Sequence, residues 1–124
     1  MPTEDELTIA KIHEAFNERR YTDVADAYMP DAVITFPQSG ERIVGRDNIL
    51  GMQKAFPTPP RYSGSRIRSA GDLVVAEVEV DYGEGPPWKA ILIYAMEGGH
   101  VASETAYFAA PFEAAEWRAP FREP

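Results

Sequence analysis

The run Pro57-Thr58-Pro59-Pro60 splits this chain into two halves whose apolar residues keep different periods. Proline lacks a backbone donor, fixes φ and pushes the preceding residue out of the helical region, so no regular element crosses such a run. Before it, apolar residues recur three and four apart, the period of a helix face. After it they alternate every second residue, the period of a strand. Helices gathered in one half and consecutive strands in the other define an α+β chain rather than an alternating α/β one.

The first half holds three helices. Glu4 to Arg19 reads as the first, with Thr3 as N-cap and Glu4, Asp5 and Glu6 where the helix dipole favours negative charge. Ile9, Ile12, His13 and Phe16 form its apolar face. Tyr21 to Tyr28 is a shorter helix with Val24, Ala25 and Tyr28 inward, ended by Pro30 and Asp31. Ala32 to Phe36 is a short strand stopped by Pro37, and Ser39, Gly40 and Gly45 mark loops around Glu41–Val44. Asp47 to Phe56 is the third helix, with Ile49, Met52, Gln53 and Phe56 on one side.

Arg61–Ser69, Leu73–Tyr82, Trp88–Glu97 and His100–Ala109 read as four antiparallel strands. Gly98-Gly99 suits a two-residue hairpin, because both positions take positive φ without strain. A tip at Ala70-Gly71 places Arg66 and Arg68 on one face with Glu77, Glu79 and Asp81, a solvated and mutually paired surface. Ile67, Val74, Ala76, Val78 and Val80 then face the helices. A tip at Gly98-Gly99 sets Glu104 opposite Ile93, near Ile91 and Ala95, on a face shared with Ala102, Ala106 and Phe108. The reverse face then holds Trp88, Leu92, Tyr94, Met96, Val101 and Tyr107. Both faces of the last hairpin are apolar, so one packs on the helices and the other needs a cover, either the tail or a second subunit.

The chain is of single-domain length, divided here into residues 1–110 and a proline-rich, aromatic tail, 111–124, expected to lie against the sheet. Twenty acidic residues against twelve basic ones give a net charge of −8, which argues against nucleic acid and anionic membranes as partners. Without cysteine there is no disulfide or thiolate chemistry. No apolar run reaches membrane length and MPTEDELT is not a signal peptide, so a soluble, cytoplasmic protein is expected.

Glu104 is the main candidate for chemistry. It stands amid apolar and small residues, where burial raises a carboxyl pKa toward neutrality, as proton transfer at pH 7 requires. Its structural alternative is a buried carboxylate paired with an Arg, a Tyr hydroxyl or backbone amides. His13, within an apolar helix stripe, is a proton relay or a hydrogen-bonded packing residue, and Tyr28 a pocket donor or plain core. Lys89 has pocket parity near the rim. No metal is expected, since His13-Glu14 lacks the second His of a zinc motif and there is no cysteine. No glycine-rich phosphate loop or Gly-x-Ser-x-Gly elbow occurs.

Three segments, IAKIHEAFNERRYTDVADAYMPDAVITFP, GERIVGRDNIL and VASETAYFAAPFEAAEWRAPF, resemble the SnoaL-like branch of the NTF2-like superfamily, relatives of polyketide cyclases and ketosteroid isomerases. The resemblance implies an α+β cone: three N-terminal helices packed on a curved, mostly antiparallel sheet around an internal pocket. It does not carry over the known catalytic sets. The isomerases' general-base Asp falls at Phe36 before Pro37, and their two hydrogen-bond donors fall at about Ile12 and Ile91. The cyclase Asp falls at Ala106. Glu104 stands where the isomerases carry an apolar wall residue, and Phe108 matches a wall aromatic.

The resulting expectation is a cofactor-independent enzyme of isomerase, cyclase or hydratase/dehydratase type acting on an apolar cyclic or polyketide-like substrate. Glu104 transfers the proton, His13 and Tyr28 orient, and Phe16, Phe36, Phe56, Ile91, Ile93 and Phe108 line the pocket. The alternative is a non-catalytic binding or dimerising accessory protein. A homodimer through the outer sheet face is expected under every reading.

Overall fold

Thr3 and Glu6 close a capping box. The Thr3 hydroxyl accepts from the Glu6 N–H at 3.1 Å, and the Glu6 carboxylate accepts from the Thr3 N–H at 3.3 Å. The cap starts α1 (Glu4–Asn17), the first element of the computed structural model, which describes residues 1–124. There follow α2 (Tyr21–Asp26), β1 (Tyr28–Phe36), β2 (Glu41–Val44), α3 (Arg46–Lys54), β3 (Arg61–Ala70), β4 (Leu73–Asp81), β5 (Trp88–Glu97), β6 (His100–Ala109) and a 3₁₀ turn at Glu116–Phe121.

The six strands form one curved, open sheet in the order β2-β1-β6-β5-β4-β3. The sheet has one strand more than the five read from the sequence. Glu41–Val44 is a strand that pairs antiparallel with β1, and β1 in turn lies parallel to β6. The second helix stops at Asp26, and Tyr28 begins β1 instead of ending a helix. Pro30 falls where the β1–β6 pairing slips, between Tyr28 opposite Val101 and Val33 opposite Ser103.

Helix α1 packs on β3 and β4, α3 on β1, and α2 bridges α1 and α3. Ile9, Phe16, Val24 and Ile49 from the helices meet Val74, Ala76, Val78, Val80, Leu92 and Val101 from the sheet in one buried core. Fully burying one such aliphatic side chain is worth about 1.5–3 kcal/mol. Arg19 anchors the proline run to this core, its guanidinium donating to the carbonyls of Pro60 at 2.9 Å and Pro59 at 3.0 Å.

Two bulges decide which side chains enter the concave side. In β6, Val101 pairs with Met96 and Ser103 with Ala95, so Ala102 has no partner. One unpaired residue inverts the alternation beyond it. Val101 and Glu104 therefore both point inward, and Glu104 stands opposite Tyr94 rather than Ile93. In β3, Gly64 and Ser65 stand against Val78 alone, and Gly64 holds a left-handed φ of 61°. That bulge turns Tyr62 inward opposite Val80.

The first bulge overturns several expected faces. Leu92, Tyr94, Met96 and Val101 are buried inside, whereas Ile91 and Ile93 lie on the outer face with Tyr107 and do not line the cavity. Trp88 shares the inner side with Val80, at the mouth. Lys89 is also outside, ion-paired with Glu79, next to the Arg68–Glu77 pair at 2.6 Å. Such exposed pairs contribute little stability. The tail does not lie against the sheet: Phe112, Trp117 and Phe121 are 83, 72 and 83% exposed. No helix is long and apolar enough to cross a membrane.

Candidate functional site

The concave side of the sheet and the three helices enclose a chamber of about 80 Å³ with mostly apolar walls. Seven of the residues singled out from the sequence line it: His13, Phe16, Tyr28, Phe36, Phe56, Glu104 and Phe108. Tyr62, Tyr94 and Gln53 line it as well, and sequence reasoning assigned none of these to the site. Gly64 was the available signal for Tyr62, because an isolated glycine inside a strand marks a bulge. Nothing comparable marks Ala102, so the inward turn of Tyr94 had no local signature.

Side chains outside the chamber clamp the backbone at three of its wall residues, Tyr28, Tyr62 and Phe108. Arg46 donates twice to the Tyr28 carbonyl, at 2.9 and 2.6 Å, fixing the start of β1 under α3. Asn17 clamps Tyr62: its amide donates to the Tyr62 carbonyl and its carbonyl accepts from the Tyr62 N–H, both at 2.8 Å. Gln38 does the same at the end of β6, donating to the Phe108 carbonyl and accepting from its N–H, both at 2.6 Å. The Tyr62 ring stacks on Phe16 at 4.8 Å and meets the His13 ring edge-on at 5.3 Å.

At the centre, the Tyr28 hydroxyl donates to Oε1 of Glu104, the one hydrogen bond that this carboxyl makes. Burial lifts the Glu104 pKa from 4.5 to about 7, and the Tyr28 hydrogen bond, which favours the ionised form, offsets only part of that. Near neutral pH the group is therefore both a competent acid and a competent base. The phenols of Tyr28, Tyr62 and Tyr94 are held above their ordinary range, first by burial and next by the Glu104 charge, so all three remain neutral donors.

His13 makes no hydrogen bond with Glu104. Its Nε2 shares a 3.0 Å hydrogen bond with the Tyr94 hydroxyl, and Tyr94 stands opposite Glu104. Burial lowers the His13 pKa to about 4, so the imidazole is neutral at pH 7. It orients Tyr94 rather than carrying charge. No group of three His, Asp or Glu side chains is placed to hold a metal ion.

A curved open sheet with three helices over its concave face is the architecture of the NTF2-like class of α+β proteins. The SnoaL-like domain family matches residues 9–104, and the chain belongs to it. An NTF2-like protein of unknown function from Burkholderia xenovorans LB400 is 31% identical with a TM-score of 0.88, over 98% of this chain and 94% of that one. A candidate ketosteroid isomerase from Kribbella flavida DSM 17836 superposes with a TM-score of 0.89 at 20% identity, covering 98% of this chain and 89% of its own. A candidate SnoaL-like polyketide cyclase from Shewanella putrefaciens CN-32 gives 0.74 at 13% identity, over 88% and 92%. The latter two share the fold alone. No curated protein matches the sequence.

Proposed function

We propose that this protein is a cofactor-independent general acid–base enzyme of the isomerase, cyclase or hydratase/dehydratase type, with Glu104 moving the proton on an apolar carbonyl substrate. The observation that carries the reading is a carboxyl tuned to about 7 at the base of an apolar cavity, bonded only to Tyr28. In the ionised form Glu104 abstracts a proton next to the substrate carbonyl. In the acid form it returns that proton at another atom. Neutral Tyr28 steadies the carboxylate before the proton is taken and after it is returned, and neutral Tyr94, held by His13, supplies a second donor on the same wall. Membership of a family whose relatives include isomerases and cyclases supports this class of reaction.

The three reaction types share proton transfer at a carbon beside a carbonyl, which deuterium incorporation detects. In D₂O the protein should accelerate α-hydrogen exchange of a simple ketone such as 4-phenyl-2-butanone, and Glu104→Gln should lose about 10²–10⁴-fold of that acceleration. Undiminished exchange in Glu104→Gln removes the assigned role.

The outer sheet face supports a homodimer. Leu73, Ile91 and Tyr107 are 45, 43 and 41% exposed there, and the chain's own tail leaves them uncovered. A second copy placed face to face buries them, with the Arg66, Arg68, Glu77, Glu79 and Lys89 pairs at its rim.

A further inference from the structure

Two buried side-chain polar atoms in this chain lack a hydrogen-bond partner, His13 Nδ1 and Gln53 Oε1. Both residues line the same chamber. An unmade buried hydrogen bond costs about 1–3 kcal/mol, so each such atom calls for an explanation. An amide oxygen only accepts, so whatever completes Gln53 must donate.

Chamber size limits what that donor belongs to. An apolar cavity of about 150 Å³ takes one benzene ring. This chamber, at about 80 Å³, takes a group of a few atoms and no ring. It is not closed, however. Phe36, Met52, Phe56, Tyr62, Ala106 and Phe108 form its outer wall and also the inner wall of an open vestibule of about 490 Å³. That volume falls in the usual range of small-molecule sites, about 300–1,000 Å³. Tyr82 and Trp88, edge-to-face at 5.6 Å, line the vestibule too. Phe36 and Phe108, 6.3 Å apart, stand at the boundary, and the Gln38 clamp fixes the Phe108 backbone.

We propose that the substrate has two parts: a small head whose O–H or N–H donates to Gln53 Oε1, and a ring-sized apolar body that stays among the vestibule aromatics. The inference rests on the cavity being a substrate site, as in the function proposed above, but not on Glu104 performing chemistry.

The test is equilibrium binding, followed by NMR at the Trp88 indole N–H and the Gln53 side-chain amide. The probes are 4-phenyl-2-butanol, which donates; 4-phenyl-2-butanone, which does not; and 2-butanol, which lacks the ring. The two phenyl compounds should shift the Trp88 signal. 2-Butanol should bind at least about tenfold more weakly, the equivalent of losing roughly 1.4 kcal/mol of apolar contact. Gln53→Leu should weaken the alcohol by about three- to tenfold, the worth of one hydrogen bond, and leave the ketone within about twofold. Trp88→Ala should weaken both phenyl compounds. An equal response of alcohol and ketone to Gln53→Leu overturns the proposal, and so does 2-butanol binding as tightly as 4-phenyl-2-butanol. Failure of the phenyl compounds to bind or to shift Trp88 overturns it as well. Within the wild-type chain, the comparison of the alcohol with 2-butanol needs no variant to fold. These ratios are independent of turnover. Unaltered ketone exchange in Glu104→Gln defeats the proposed reaction and leaves the two-part site standing.

Discussion

Tyr94 stands directly opposite Glu104 across the β5–β6 pair, and it does so because Ala102 is left out of the pairing. Without that bulge the register would set Glu104 against Ile93, and the carboxyl would lose its phenol-lined surroundings. One unpaired residue thus creates the polar end of an otherwise apolar hollow.

The Tyr28 hydrogen bond opposes the effect of burial on Glu104. Tyr28→Phe should therefore move the Glu104 titration further above 7. The pH dependence of ketone exchange measures this directly, with its rising limb expected at higher pH in the variant. An unshifted limb would separate Tyr28 from the titrating group.

His13 and Glu104 make opposite contributions to stability as pH changes. Glu104 titrates at 4.5 when unfolded and about 7 when folded, so its contribution is full below 4.5 and is lost as pH rises to about 7. His13 titrates at 6.5 unfolded and about 4 folded, so its contribution is full above 6.5 and is lost as pH falls to about 4. Each spans on the order of 3 kcal/mol. In the wild-type protein the two largely cancel between pH 4.5 and 6.5. Denaturant unfolding of Glu104→Gln, with the wild-type curve subtracted, should show stability rising with pH over this window, and His13→Gln should show it falling. Parallel curves for all three chains would contradict both shifts.

Gly64 holds a φ of 61° at the bulge that turns Tyr62 inward. A Cβ there would meet only the Glu79 side chain at 3.8 Å, so the penalty for Gly64→Ala is backbone strain and not collision. We expect a loss of about 1–2 kcal/mol in denaturant unfolding. A neutral substitution would mean that the bulge does not need its left-handed residue.

If the outer face pairs two copies, light scattering at micromolar concentration should give twice the chain mass of 13.8 kDa. Ile91→Glu should return the mass to that of one chain, since it places a charge at the centre of the face while leaving the cavity untouched. A monomeric wild-type protein would reject the dimer.

The sequence disclosed the elements better than their faces. The Pro57–Pro60 break, the Thr3 cap and the Gly98-Gly99 turn, with φ of 58° and 83°, all lie where local chemistry put them. The β3–β4 turn is at Gly71-Asp72, since Ala70 pairs with Leu73, rather than at Ala70-Gly71. That displaces the register by two residues, which leaves every face unchanged, and Arg66, Arg68 and Glu77 do share a surface. In β5–β6 the slip is a single residue, and it exchanged Ile91 and Ile93 for Leu92 and Tyr94. Hydrophobic alternation could not reveal it, because both faces of β5 are apolar. Glu104, His13 and Tyr28 were legible as isolated polar groups in apolar stretches. Tyr62 and Tyr94 were not, because their places depend on bulges and on a long-range register, and Gln53, though read on one side of α3 with Ile49 and Met52, carried no sign of a place in the site.

The most direct measurement is the titration of the Glu104 side-chain carbon by ¹³C NMR in the folded protein, assigned by its disappearance in Glu104→Gln. A midpoint near 7 is expected, well above the ordinary 4.5. A midpoint at or below 4.5 would mean a solvated or fully paired carboxylate at this position and would contradict the account of Glu104 as the group that moves the proton.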